Sequence, residues 1–168
     1  MSKHVIVETE KGIARVTLNR GEVHNAFNQD MIADLHEAFI KLAVADDVNI
    51  VVLTGAGKSF SAGADMHWMK EAATYSEEEN FQDALALANM LKSLYELPQL
   101  TIAAVHGAAM GGGMGLVSCC DFVIAAENTK FALSEVKLGL IPATIAPYLM
   151  RAIGKRQARR YFQTAEFI

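Results

Sequence analysis

The chain has 168 residues, of which 52% are hydrophobic and 20% charged, and its formal net charge is −4. This composition is ordinary for a globular protein, and the length suits one domain, residues 1–168, that buries about 70% of the surface of its unfolded chain. A net negative charge gives no electrostatic signature of nucleic-acid binding, so we expect no nucleic-acid partner.

Hydrophobic periodicity predicts strands that alternate with helices, which is typical of an α/β protein with mostly parallel strands. The first two strands fit a hairpin. Asp65 and Ser76 are placed to cap the helices that follow them, and Gly154 is placed for a left-handed helix C-cap. The predicted strands cover residues 4–9, 12–18, 49–53, 102–105 and 122–126, and the predicted helices cover residues 29–45, 65–69, 76–97, 112–120, 143–153 and 155–164.

Two turns of small residues carry the strongest functional signal. Residues 101–115 form an apolar strand that runs into a glycine-rich turn, and residues 60–65 follow another apolar strand. Backbone without side chains can approach a ligand closely and direct its N–H groups at an oxyanion. Two such turns that converge on one substrate carbonyl favour acyl chemistry.

Neither turn region fits a nucleotide-binding fingerprint. Residues 57–59 resemble the end of a P-loop, but the glycine required five positions earlier is Val52. Gly55 and Gly57 would need a third glycine where Phe60 stands. We therefore predict neither a P-loop nor a dinucleotide-binding loop.

We also expect no metal site. The five histidines are scattered and form no HExxH motif, so His24 and His67 are expected to be ordinary loop or helix-start residues. Cys119 and Cys120 are adjacent, which excludes CxxC spacing, and we expect them to pack in the core.

Residues 102–120 are nearly free of charge and long enough to raise the question of a membrane span. His106 and five glycines interrupt the run, Asp121 closes it, and no Lys or Arg anchors either end. The first residues contain no signal-like apolar segment. We therefore expect a cytoplasmic protein with no membrane partner.

Glu135 is the best candidate for an acid–base group. It lies in an apolar segment, residues 131–136, where burial raises a carboxyl pKa toward neutrality. The alternative is that Ser134 caps a helix and Glu135 only complements the helix dipole. The pattern alone leaves both interpretations open.

Five segments together carry a resemblance. They are His24-Asn25-Ala26-Phe27-Asn28, Ser61-Ala62-Gly63-Ala64-Asp65, His106-Gly107-Ala108-Ala109-Met110-Gly111-Gly112-Gly113, Cys120-Asp121 and Phe131-Ala132-Leu133-Ser134-Glu135-Val136-Lys137-Leu138-Gly139-Leu140-Ile141-Pro142. In their order and spacing they resemble the crotonase (enoyl-CoA hydratase/isomerase) superfamily, and the resemblance covers nearly the whole chain.

The resemblance implies a spiral of ββα units and an acyl-CoA substrate, with no separate cofactor because coenzyme A enters as part of the thioester. It implies an oxyanion hole made by the backbone amides of Ala64 and Gly112, and a homo-oligomer, either a trimer or a hexamer. By the same analogy the substrate path is lined by Val23, Ala26, Ala62, Gly63, Asp65, Met66 and Gly111.

One departure from the family pattern concerns the acid–base groups. Typical hydratases of the family hold the attacking water with two glutamates, of which the first falls on Gly115 and the second on Glu135. Single-glutamate members include isomerases that move a double bond. The segments around Glu135, Trp68 and residues 142–148 are nevertheless similar to a branched-chain hydratase subgroup that acts on methylglutaconyl-type thioesters and also carries glycine there.

A second departure is the length. The chain ends at Ile168, where the family continues into C-terminal helices, so we expect either a truncated or fragmentary member or one that has lost those helices.

We therefore predict an enzyme that polarises a thioester carbonyl with the Ala64 and Gly112 amides and moves a proton with Glu135. Addition of water to a 2-enoyl-CoA is the first choice. The alternatives are double-bond isomerisation and a catalytically silent acyl-CoA-binding module. We expect a branched side chain at Gly112 to occupy the place of the carbonyl.

Overall fold

The computed structural model describes residues 4–168. Its strands are β1 Val5–Glu10, β2 Ile13–Leu18, β3 Ile50–Gly55, β4 Leu100–Val105, β5 Ala108–Met110, β6 Phe122–Ala125 and β7 Lys130–Ala132. Its helices are α1 Gln29–Ala43, α2 Met66–Ala72, α3 Glu77–Tyr95, α4 Gly112–Cys119 and α5 Ala146–Thr164, with short 3₁₀ helices at Gly21–Val23 and Glu135–Leu138.

Five strands form the main sheet in the order β1-β2-β3-β4-β6. The β1–β2 pair is an antiparallel hairpin, and the pairs β2–β3, β3–β4 and β4–β6 are parallel. The short strands β5 and β7 pair in parallel as a second sheet. This arrangement confirms the predicted α/β fold with mostly parallel connections.

The predicted hairpin turns through Lys11 and Gly12, which both have positive φ angles, 51° and 80°. A two-residue hairpin turn whose twist matches that of the flanking strands requires positive φ at both of its central residues. Glycine meets this requirement without strain at the second position.

The core lies between one face of the sheet and helices α1 and α3. Ala14, Val16 and Leu18 of β2 alternate inward and are fully buried. Helix α1 contributes Met31, Leu35 and Phe39, and helix α3 contributes Met90, Leu91 and Leu94. A side-chain period near 3.6 on the helices and of two on the strand therefore gives one apolar layer.

The two cysteines pack against this core. Cys119 is buried and Cys120 is partly buried. Burial raises the pKa of both thiols, that of Cys120 to about 12. Thiols in such surroundings are unreactive at neutral pH, which agrees with the predicted packing role.

The two predicted N-terminal helix caps form as expected. The Asp65 side chain accepts a hydrogen bond from the His67 amide at 2.9 Å at the start of α2. Ser76 and Glu79 make a reciprocal capping box at the start of α3. Both caps are local interactions that spacing alone specifies.

Three details differ from the predictions. Strands β5 and β7 were not predicted, since each has only three residues. Helix α5 begins at Ala146 rather than near residue 143, with Pro147 in its first turn, where a missing N–H costs nothing. Gly154 breaks this helix with φ 79° and ψ 151°, which is an extended kink and not the left-handed cap that we expected.

Residues 102–120 form β4, β5 and α4 instead of one long helix. Among the residues that the structure describes, 4–168, no helix combines the length and the apolar character that a membrane crossing needs.

Candidate active site

The two small-residue turns lie side by side. The Ser61 amide donates to the Ala108 oxygen at 3.0 Å, and the Met110 amide donates to the Ser61 oxygen at 2.9 Å. Gly63 has a φ of 90°, and a Cβ atom there would lie 3.0 Å from the Met110 oxygen. The close approach of the turns therefore depends on bare backbone at Gly63.

The backbone amides of Ala64 and Gly112 are unpartnered in the part of the chain that the structure describes. The Phe27 amide donates to the Gly63 oxygen at 2.7 Å, and because a peptide group is planar and trans, the Ala64 N–H of that group points to the opposite side. Gly112 is the first residue of α4, where an N–H has no intrahelical acceptor. Within residues 4–168 neither amide donates a hydrogen bond.

A cavity of about 470 Å³ opens onto these amides. All ten residues that the sequence predicts for the site line it: Val23, Ala26, Ala62, Gly63, Ala64, Asp65, Met66, Gly111, Gly112 and Glu135. The structure thus brings together residues from four separate segments of the chain. Their individual roles stay predictions.

Five further residues of the cavity wall were not predicted: His67, Met69, Ser134, Leu138 and Leu140. Two features of the sequence could have identified four of them, all except Ser134. The predicted cap at Asp65 directs the first turn of α2 to the same wall, and the two leucines follow Glu135 within the segment that carries the resemblance. Their side chains make the wall mostly apolar.

Glu135 begins a 3₁₀ helix and places its carboxylate against the glycine turn. A Cβ atom at Gly111 would lie 3.1 Å from Oε1 of Glu135. Oε2 is buried and has no hydrogen-bond partner within residues 4–168. Burial raises the pKa of Glu135, and a hydrogen bond from its own backbone amide opposes this only in part. A carboxyl group whose pKa is raised and whose oxygen has no fixed partner is suited to act as a general acid or base.

The structure does not support the alternative interpretation, in which Ser134 caps a helix and Glu135 only complements the helix dipole. Ser134 precedes the 3₁₀ helix with α-helical dihedral angles and makes no side-chain cap. A unit of four residues also has little helix dipole for a carboxylate to complement.

Arg20 and Asp65 form a largely buried ion pair at the rim of the cavity, with side chains 13% and 12% exposed. One guanidinium nitrogen lies 3.0 Å from Oδ2 of Asp65, and the other donates to the Ala26 oxygen at 2.5 Å. Burial raises the pKa of Asp65, but hydrogen bonds from the His67 amide and from Arg20 outweigh it, so the pKa is lowered overall. Asp65 is therefore held as a carboxylate. Sequence reasoning did not find Arg20.

The expectation that a side chain at Gly112 would occupy the place of the substrate carbonyl is wrong. A Cβ atom there would lie 2.6 Å from Cε2 of Phe27. The Phe27 ring is 1% exposed and lies beneath the turn, so the clash is with the protein and not with the space of a substrate carbonyl.

Grooves of larger volume lie elsewhere, and they include one of about 710 Å³ between α1 and α3 and one of about 860 Å³ beside β1 and α1. Neither contains the free amides or Glu135. Among residues 4–168 no three His, Cys, Asp or Glu side chains come together as a metal-binding group.

Comparison with known proteins gives a consistent result. The sequence pattern of the family described as enoyl-CoA hydratase/isomerase matches residues 8–168. The crotonyl-CoA hydratase of Syntrophomonas wolfei is 36% identical over 170 residues, which cover 99% of this chain and 64% of that protein.

Solved structures agree with the sequence matches. An enoyl-CoA hydratase from Shewanella pealeana superposes with a TM-score of 0.96 at 44% identity, over 98% of this chain and 62% of that one. An enoyl-CoA hydratase from Mycobacterium smegmatis superposes with a TM-score of 0.92 at 34% identity, over 98% of this chain and 64% of that one.

The chain spans between about half and two thirds of the length of the curated relatives that it matches. The family pattern nevertheless covers nearly the whole of this chain, and the fold is the one that the solved relatives share. The chain therefore belongs to the enoyl-CoA hydratase/isomerase family.

Proposed function

We propose that this chain binds a 2-enoyl-CoA thioester, polarises its carbonyl with the Ala64 and Gly112 amides, and adds water with Glu135 as the acid–base group. The observation that carries the proposal is the meeting of two unpartnered backbone amides with one unpartnered carboxylate oxygen in the same cavity. The names of the hydratase relatives support the same substrate class.

The amides supply the electrostatic part of the reaction. Attack at C3 of an enoyl thioester moves negative charge onto the carbonyl oxygen, and two preorganised N–H donors stabilise that charge in the transition state. Gly112 adds the positive end of α4. Removal of one such donor typically costs about 10²–10³ in kcat.

Glu135 supplies the proton transfer. Its raised pKa and its unsatisfied Oε2 suit a group that orients a water molecule, takes a proton from it as the water oxygen bonds to C3, and delivers a proton to C2, where the electron pair of the double bond forms the new C–H bond. Leu138 and Leu140, both about half exposed, contribute apolar surface to the same cavity wall. We also propose that coenzyme A enters only as part of the substrate, that no separate cofactor is needed, and that the chain works in a homo-oligomer.

Isomerisation of a 3-enoyl-CoA is the second candidate, and one observation favours it. Glu135 and Asp65 are the carboxylates of the cavity wall, and Asp65 is already paired with Arg20. One free carboxylate suffices to move a proton between two carbon atoms, whereas hydration also requires a positioned water.

The test is an assay of straight-chain and branched 2-enoyl-CoAs, including methylglutaconyl-CoA, and of 3-enoyl-CoAs. We expect Glu135→Gln to lose about 10²–10⁴ in kcat while it still binds acyl-CoA. Glu127→Gln is the matched control, since Glu127 is exposed in the loop between β6 and β7. Binding without turnover of any enoyl thioester would instead identify a silent acyl-CoA-binding module.

A further inference from the structure

A chain of hydrogen bonds links Arg20 to the Ala64 amide. The guanidinium donates to the Ala26 oxygen at 2.5 Å. The N–H of that same peptide group belongs to Phe27 and donates to the Gly63 oxygen at 2.7 Å. The N–H of the second peptide group is that of Ala64, which lines the cavity. A cation thus stands at one end of two aligned peptide groups, and a free donor stands at the other.

Hydrogen bonds in such a series strengthen one another. A positive charge at a carbonyl oxygen draws electron density from its peptide group and makes the N–H of that group a stronger donor. The effect is larger where water is excluded, and the Arg20 side chain is only 13% exposed. The last N–H of the series therefore receives the added polarisation.

We propose that Arg20 is a positioning residue of the oxyanion hole, whose charge is transmitted through the Ala26–Phe27 and Gly63–Ala64 peptide groups and strengthens the Ala64 donor. The proposal rests on the function proposed above. Asp65 holds the second guanidinium nitrogen at 3.0 Å and so opposes the charge that the relay carries. The ion pair sets the strength of the donor as well as its place.

A purely structural role makes a different prediction. If the pair only ties the two rims of the cavity together, then removal of either partner weakens the site in the same way. If the charge of Arg20 acts through the relay, then loss of Arg20 weakens the Ala64 donor, whereas loss of the opposing charge of Asp65 strengthens it. The two single variants therefore separate the interpretations.

The probe is the absorption spectrum of bound cinnamoyl-CoA, whose conjugated thioester shifts to longer wavelength when its carbonyl is polarised. All variants carry Glu135→Gln, so that the probe is not consumed. We expect Arg20→Gln to reduce the red shift and Arg20→Lys to restore most of it. We expect Asp65→Asn, in which asparagine still caps α2, to increase the shift. Lys41→Gln is the control, because it removes one positive charge from an exposed ion pair far from the cavity.

Kinetics give a second readout in chains that retain Glu135. We expect Arg20→Gln to lower kcat about 10-fold with KM nearly unchanged, which is less than the loss of a whole donor.

Equal red shifts in Arg20→Gln and the parent would overturn the proposal, as would equal reductions in Arg20→Gln and Asp65→Asn. Should Arg20→Gln fail to fold, the comparison of Asp65→Asn with the parent decides alone: an increased red shift supports the proposal, and an unchanged or reduced red shift overturns it. If the red shifts follow the expectation but the wild-type chain turns over no enoyl thioester, the polarising role stands and the proposed function is wrong.

Discussion

Gly115 on α4 and Ile145 at the start of α5 are in direct contact, because a Cβ atom at position 115 would lie 2.5 Å from Cγ2 of Ile145. Ile145 is 3% exposed, and its side chain fills the space that any larger residue at Gly115 would need. This packing leaves no room for a second carboxylate at the position where the family resemblance would place one.

The contact can be tested by stability. We expect Gly115→Ala to lower the free energy of unfolding by about 1–3 kcal/mol, the cost of overpacking a core. In the double variant Gly115→Ala/Ile145→Ala the clash is removed, so the loss should be smaller than the sum of the two single losses. Urea unfolding of the four chains measures this, and simple additivity would contradict the contact.

A second prediction concerns the support beneath the oxyanion hole. We expect Gly112→Ala to displace the Phe27 ring and so to disturb the Phe27–Gly63 hydrogen bond that orients the Ala64 amide. Turnover should fall by about 10-fold or more, since a donor moved out of line is partly lost. Gly154→Ala serves as control, because a Cβ atom at Gly154 meets nothing within 4 Å and Gly154 is not part of the cavity wall, so the strain from its positive φ should affect stability and not turnover. A Gly112→Ala variant with the kcat of the wild type would show that Phe27 does not support the hole.

A third prediction concerns the stability cost of Glu135. Burial raises the pKa of this carboxyl in the folded chain above its ordinary value. Its favourable contribution to stability is therefore complete below the ordinary glutamate pKa and is lost as the pH rises through the folded pKa. The ionised form destabilises the fold at pH 7, so Glu135→Gln should melt at a higher temperature than wild type at pH 7 and at nearly the same temperature at pH 4. An equal difference at both pH values would contradict the burial of the charge.

The structural features that were predicted most accurately from the sequence are those that depend on interactions between residues close together in the chain. The capping box of Ser76 and Glu79 and the cap at Asp65 follow from spacing within a few residues, and the structure confirms both. The lining of the cavity was also predicted, because small residues at fixed spacing and the family resemblance marked the same turns.

Contacts between residues that are far apart in the chain were not predicted from the sequence. Arg20 reaches a partner 45 positions away, and nothing near it signals that Asp65 stands there. The contact between Gly115 and Ile145 joins two helices in the same way. The break at Gly154 was predicted, but its conformation was not, because glycine permits several conformations with positive φ and the surroundings select among them.

The most direct test of the account is the fate of solvent oxygen. The wild-type chain and Glu135→Gln are each incubated with a 2-enoyl-CoA in ¹⁸O-labelled water, and the product is analysed by mass spectrometry. We predict that the wild type places the label at C3 of a 3-hydroxyacyl-CoA and that Glu135→Gln does so at least about 10²-fold more slowly. A wild-type chain that leaves the label in solvent while it converts a 3-enoyl-CoA to the 2-enoyl isomer would contradict hydration, and equal rates in the two chains would contradict the role of Glu135.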